Sequence, residues 1–91
     1  MLSRNILKVD DSFILETFDS EIVLYSPHKN QAAYLNESAH LVWLLCREQR
    51  TLGDIIAVLE EAYPAARQQI REDVLTAVEA LIALGAVALD G

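Results

Sequence analysis

Few side chains in this sequence have the spacing that catalysis or metal binding requires. His28 and His40 have no cysteine or second histidine three or four positions away, so the spacing of zinc ligands is absent. Cys46 is the single cysteine, and it lies six residues from His40, on a different side of any helix that contains both. We expect Cys46 to be a small core residue, with a reactive thiol as the alternative. The sequence predicts no metal site.

Two pairs of adjacent carboxylates are the remaining candidates for acid–base chemistry. Glu60 is followed by Glu61, and Glu72 is followed by Asp73. Neighbouring residues on a helix do not face each other, so these pairs are typical of a solvated helix face. The three glycines form no phosphate-binding loop. We therefore expect no catalytic residue, no cofactor and no enzymatic activity.

The composition indicates one folded, acidic domain over residues 1–91. Apolar residues make up 53% of the chain, which excludes intrinsic disorder. Fourteen acidic and seven basic residues give a net charge of −7, which argues against binding to nucleic acid or to anionic membranes. No apolar stretch reaches the roughly 18–20 residues of a membrane span, and the N-terminus lacks the apolar segment of a signal peptide. We expect a cytoplasmic protein.

Three short apolar segments after a polar lead-in (residues 1–12) predict a β-meander. The first two, residues 13–18 and 21–25, are rich in β-branched and aromatic residues and are separated by a short turn. Pro27 and Asn30 mark a second turn before the third strand, Gln31–Leu35. Such a small meander needs a helical layer against one face.

Apolar residues at helical spacing predict that layer. Asn36 is a suitable N-cap for a first helix, which carries Trp43 on its apolar stripe and ends near Glu48. Thr51 begins a second helix that ends near Tyr63, and a third helix over residues 65–84 ends at Gly85. Residues 86–89 form a short terminal strand. The fold class is α+β: a winged helix-turn-helix, with a three-stranded antiparallel N-terminal meander followed by three helices and the terminal strand.

The third predicted helix carries a second apolar stripe that the core does not require. Leu75, Val78 and Ile82 follow one another at helical spacing, flanked by Arg71 and Glu79. This stripe either packs beneath the lead-in or the terminal strand, or it forms one wall of a groove for a partner. In the second case the edge of the strand Gln31–Leu35 is the other wall, because an edge strand can pair with an incoming extended peptide.

The order and spacing of several motifs resemble those of the PqqD-like proteins, also called the RiPP precursor peptide recognition element. The resemblance covers about residues 13–89, and its most specific part is a Leu-Asn-Glu turn into a helix with Trp seven residues after the Asn. The motifs are Ser26-Pro27 with Asn30, Leu35-Asn36-Glu37, Ala39, Val42-Trp43, Asp73-Val74, Leu81 and Gly85-Ala86-Val87.

The resemblance implies a non-catalytic protein that binds the leader segment of a ribosomally made precursor peptide. Such a protein presents the leader to a modifying enzyme, often a radical SAM enzyme or a leader peptidase, in peptide natural-product or pyrroloquinoline quinone biosynthesis. The leader adds as a strand to the meander and lies against the third helix. The implied peptide-binding residues are Gln31, Ala32, Ala33, Tyr34, Leu35, Arg71, Leu75, Val78, Glu79 and Ile82.

Two other functions stay open at this point. A winged-helix transcriptional regulator is the alternative, but its recognition helix should expose several basic residues, and the third helix has only Arg67 and Arg71. A subunit that contributes residues to the active site of a partner is a further possibility, for which the sequence offers no candidate side chain.

Overall fold

The computed structural model describes residues 6–90, which form two antiparallel sheets and three helices. A single 3-10 turn, Pro64–Ala66, precedes the last helix. The elements, in chain order, are β1 (Ile6–Val9), β2 (Ile14–Phe18), β3 (Glu21–Ser26), β4 (Gln31–Leu35), α1 (Glu37–Cys46), α2 (Leu52–Ala62), α3 (Arg67–Leu84) and β5 (Val87–Asp90). The predicted α+β fold, with a three-stranded antiparallel sheet, three helices and a terminal strand, is confirmed.

The meander has the strand order β2-β3-β4. Phe18 pairs with Glu21, so the first turn has two central residues, and Asp19 adopts a φ of 49° there. Ser26 pairs with Gln31 across the second turn, where Asn30 has a φ of 55°. The turn predicted at Asn30 is thus confirmed, and Asn30 adopts the left-handed conformation there. Because β4 pairs only with β3 among the described residues, its other edge is free.

The first strand, β1, was not predicted, because it lies in the segment interpreted as a polar lead-in. β1 pairs antiparallel with β5 in a separate two-stranded sheet, and Leu7 at its centre is fully buried. Residues 1–5, including the basic Arg4, and residue 91 lie outside the described residues. A four-residue strand is too short to show a clear alternation, and its partner is at the far end of the chain.

Capping residues set the starts of α1 and α2 and the end of α3 where the sequence predicted them. The Asn36 side chain accepts a hydrogen bond from the Ala39 N–H at 2.8 Å, and the Thr51 hydroxyl accepts one from the Asp54 N–H at 3.1 Å. Gly85 ends α3 with a φ of 87°, a conformation that favours glycine. α1 ends two residues earlier than predicted.

The core lies between the helices and the inner face of the meander. Trp43 is 2% exposed, and Leu24, Val42, Cys46 and Ile55 are fully buried. α3 contacts both α1 and α2. Among the described helices, none has the length and apolar character needed to cross a bilayer.

Candidate functional site

The outermost strand of the meander, β4, presents both a free backbone edge and a partly covered inner face. Successive side chains of a strand point to opposite faces. Ala33 and Leu35 are partly buried, whereas Tyr34 between them is 74% exposed. The inner face of β4 contacts α1 and α3, so these two helices stand beside the free edge.

A groove of about 340 Å³ lies between β4 and α3. We call it the β4–α3 groove. Ala33, Tyr34 and Leu35 form the strand wall, and Asn36, Ser38 and Ala39 close one end. The helix wall consists of Asp73, Thr76, Ala77, Ala80, Leu81 and Leu84.

Lys29 fixes the turn before β4 against the C-terminal end of α3. Its ammonium group donates a hydrogen bond to the Gly85 carbonyl at 3.1 Å and lies 2.5 Å from an Asp10 carboxylate oxygen. The Phe13 ring centroid is 5.9 Å from the same nitrogen. A cation is favourable at a helix C-terminus because the last carbonyls are unpaired there. β4 therefore starts beside the end of α3, and the two elements run in opposite directions.

The β4–α3 groove is polar at one end and apolar along the rest of its helix wall. Asp73 and Thr76 lie on the side nearer the N-terminus of α3, and Asp73 accepts a hydrogen bond from the Gln69 side-chain amide at 3.1 Å. Ala80, Leu81 and Leu84 follow toward the C-terminus. This wall offers close apolar contact and one carboxylate, and its described residues include no nucleophilic thiol or imidazole.

The structure brings together only part of the predicted binding set. All five strand residues, Gln31–Leu35, lie on the edge strand β4, and the last three line the groove. The predicted helix residues do not. Arg71, Leu75, Val78, Glu79 and Ile82 all lie outside the lining of the β4–α3 groove.

The predicted helix residues lie on a different side of α3 from the helix wall of the β4–α3 groove. Val78 is buried at 4% exposure, Leu75 is partly buried and packs against the core, and Ile82 is 39% exposed. At 3.6 residues per turn, Leu75 and Ile82 point about 140–160° away from Ala77 on the groove wall. The stripe is therefore covered at Val78, partly covered at Leu75 and exposed at Ile82.

Small residues make up half of the helix wall of the β4–α3 groove, and they give no strong apolar signal in the sequence. Thr76, Ala77 and Ala80 do not form a strongly apolar stripe, although they lie on one flank of the helix. The usable signal was their size, since small side chains let another backbone approach closely.

The other candidate residues are dispersed. His28 is exposed and His40 is partly buried. Cys46 is fully buried, and burial raises the pKa of its thiol to about 12, so the thiolate needed for nucleophilic attack is suppressed. Among residues 6–90, no three His, Cys, Asp or Glu side chains are grouped closely enough to hold a metal ion.

The region of the sequence that matches a known protein family includes both walls of the β4–α3 groove. The family described as Coenzyme PQQ synthesis protein D (PqqD) matches residues 21–87, which run from β3 to the first residue of β5. The chain belongs to the PqqD family. No curated protein matches the sequence significantly.

A solved structure shares the fold of this PqqD-family chain. "TbiB1 in Complex with the TbiA(beta) Leader Peptide" superposes with a TM-score of 0.70 at 21% sequence identity. The similarity covers 92% of this chain and 95% of the TbiB1 chain. The arrangement of strands and helices described above is therefore also that of a protein solved with a peptide.

Proposed function

We propose that this protein binds the leader segment of a ribosomally synthesised precursor peptide at the free edge of β4. The single observation that carries the proposal is this unpaired edge standing directly beside the β4–α3 groove. Membership of the PqqD family and the fold shared with TbiB1, whose structure contains a leader peptide, support it.

Strand addition explains why both features are needed. An added strand gains affinity from main-chain hydrogen bonds to the β4 edge and gains specificity from alternate side chains placed in pockets. Side chains on the inner face of that strand would enter the β4–α3 groove and contact Ala80, Leu81 and Leu84. Small residues such as Ala80 leave room for the side chains of the ligand.

The protein acts without chemistry of its own and presents the bound leader to a modifying enzyme, such as a radical SAM enzyme or a leader peptidase, in the cytoplasm. Support for a non-catalytic role comes from the buried thiol of Cys46 and from the dispersed histidines. The modifying enzyme supplies the reactive groups, and this protein supplies the affinity that keeps the precursor close to it.

We also propose a winged helix-turn-helix arrangement for the three helices, within a single domain. Support comes from the five-residue connection between α1 and α2 and from the contacts of α3 with both helices. DNA binding does not follow from it, since the net charge is −7 and a recognition helix needs exposed cations.

The test uses synthetic peptides encoded by the short reading frames adjacent to this gene, with binding followed by titration calorimetry. Ala80→Trp fills the β4–α3 groove from an exposed position and should abolish binding. Ala57→Trp is the matched control, because Ala57 is an exposed position of α2 away from the groove. Failure of every such peptide to bind, or equal binding by both variants, would contradict the proposal.

A second pair of variants tests the strand edge itself. Successive residues of a strand direct their N–H groups to opposite edges, so only one of Ala33 and Tyr34 donates outward. Proline at that position removes an N–H that the fold does not use, whereas proline at the other breaks the β3–β4 ladder. We expect one variant to fold and lose peptide binding, and the other to lose stability.

A further inference from the structure

A second apolar pocket, of about 220 Å³, opens between α1, the end of α2 and the start of α3. We call it the helical pocket. Tyr63 lies at its edge with 49% of its surface exposed, although most large apolar residues described in this protein are less exposed. Its apolar lining consists of Leu41, Leu59, Tyr63, Ala66, Ile70 and Val74.

The helical pocket is continuous with the β4–α3 groove. Ser38 and Asp73 line both cavities, so one begins where the other ends. This junction lies beside the Leu35 end of β4, because the Gln31 end is held near Gly85 by Lys29. A peptide that extends past Leu35 along the groove therefore passes Asp73 and reaches the helical pocket.

Two carboxylates mark this junction. Glu37 lines the helical pocket and Asp73 lines both cavities, while the described residues that line them include no lysine or arginine. Glu37 is exposed and Asp73 is partly exposed, so both carboxylates can meet a ligand from solvent. The junction is therefore complementary to a cationic side chain.

We propose that the helical pocket is a second recognition site for the peptide that adds to β4. It takes one large apolar side chain from the peptide segment beyond the strand, and a lysine or arginine beside that residue pairs with Asp73 and Glu37. The volume suffices, since a cavity of about 150 Å³ lined by apolar residues accommodates benzene. This inference rests on the proposed function, and it adds that peptide recognition extends beyond strand pairing.

The probe is a phage-displayed library of random 16-residue peptides, selected on the wild-type chain. Wild-type protein should select peptides with an alternating strand segment and, to one side of it, a basic residue next to a large apolar residue. Selection on Ala66→Phe, which fills the helical pocket from an exposed position, should retain the strand segment and lose the basic–apolar pair. Ala65→Phe is the matched control, because Ala65 is exposed on the same turn but does not line the pocket.

Charge is tested with the best selected peptide made synthetically and its Kd measured by fluorescence anisotropy. Asp73→Asn should weaken binding about tenfold at low salt, a loss of about 1.4 kcal/mol, and less at high salt. Glu72→Gln, a neighbouring exposed carboxylate outside both cavities, should leave the Kd unchanged.

The outcomes separate this inference from the proposed function. If wild-type protein selects no peptide, the proposed function fails and the inference fails with it. If wild type and Ala66→Phe select the same peptides, or if Asp73→Asn binds like Glu72→Gln, peptide binding stands and the helical pocket is not part of it. The inference is supported if peptides selected on Ala66→Phe lose the basic–apolar pair while peptides selected on Ala65→Phe keep it.

Discussion

Trp43 shows how one side chain can anchor the core without a hydrogen bond. It is 2% exposed, and its indole nitrogen has no hydrogen-bond partner among the described residues. We expect Trp43→Ala to lower the free energy of unfolding by about 3–5 kcal/mol, as for other large-to-small core substitutions. Trp43→Phe should cost less, because it keeps an aromatic ring and removes an N–H that is already unpaired. Urea unfolding of both variants measures the difference, and equal losses would indicate a partner for the indole.

Asp10 gives the protein a pH-dependent contact between its two sheets. A hydrogen bond from Lys29, supplemented by bonds from Ser12, holds the pKa of the Asp10 carboxyl well below its usual range. A carboxyl with a lower pKa in the folded state binds fewer protons than in the unfolded state. Its stabilising effect is therefore present above the unfolded value of about 3.9 and is lost as the pH falls further.

We expect Asp10→Asn to melt below wild type at neutral pH, with the gap closing as the pH falls below about 4. Thermal melts followed by circular dichroism across this range provide the measurement. The control is Asp11→Asn, which alters an exposed neighbour outside the Lys29 contact. A gap between Asp10→Asn and wild type that persists unchanged in acid would show that the ion pair is not its cause.

At the scale of the element, the two ends of the apolar stripe on α3 differ in what they tolerate. Leu75 packs against the core, so Leu75→Asp places an uncompensated charge in an apolar site and should cost several kcal/mol. Ile82 is 39% exposed, and Ile82→Asp should leave the melting temperature close to that of wild type. Melting curves of the two variants test this contrast. A Leu75→Asp variant with wild-type stability would show that Leu75 is a surface residue.

The same helix shows what the sequence can and cannot predict. Its extent and its end at Gly85 follow from local signals, namely apolar spacing and a residue suited to a positive φ. Which flank faces β4 depends on tertiary packing, and Leu75 and Val78 have the same apolar character whether they face the core or a ligand. The strand wall was predictable because the edge position of β4 follows from the order of the meander.

β1 was unpredictable for a different reason. Its four residues pair with β5 at the opposite end of the chain, and β1 is too short to show a clear alternation of polar and apolar residues. Leu7 and Val87 are the residues of this pair that are buried in the core. β1 forms a strand because it lies beside β5 in the folded structure, and this proximity cannot be read from the spacing of nearby residues.

At the scale of the whole molecule, the net charge of −7 governs which polymers the protein can approach. Random duplex DNA should not bind even at low salt, where non-specific binding is strongest, because affinity for phosphate comes from clustered lysine and arginine. Fluorescence anisotropy of a labelled duplex measures this directly. A salt-dependent rise in anisotropy would favour the transcriptional-regulator alternative.

The pairing of β1 with β5 has a consequence for the order in which the chain folds. Ile6 pairs with Asp90, so the contact closes a loop of nearly the whole described chain, and the entropy of loop closure opposes its early formation. The meander and the helices, whose contacts are more local, should form before it. During brief openings of the native state, the amide protons of the β1–β5 ladder should therefore exchange with solvent sooner than those of β3.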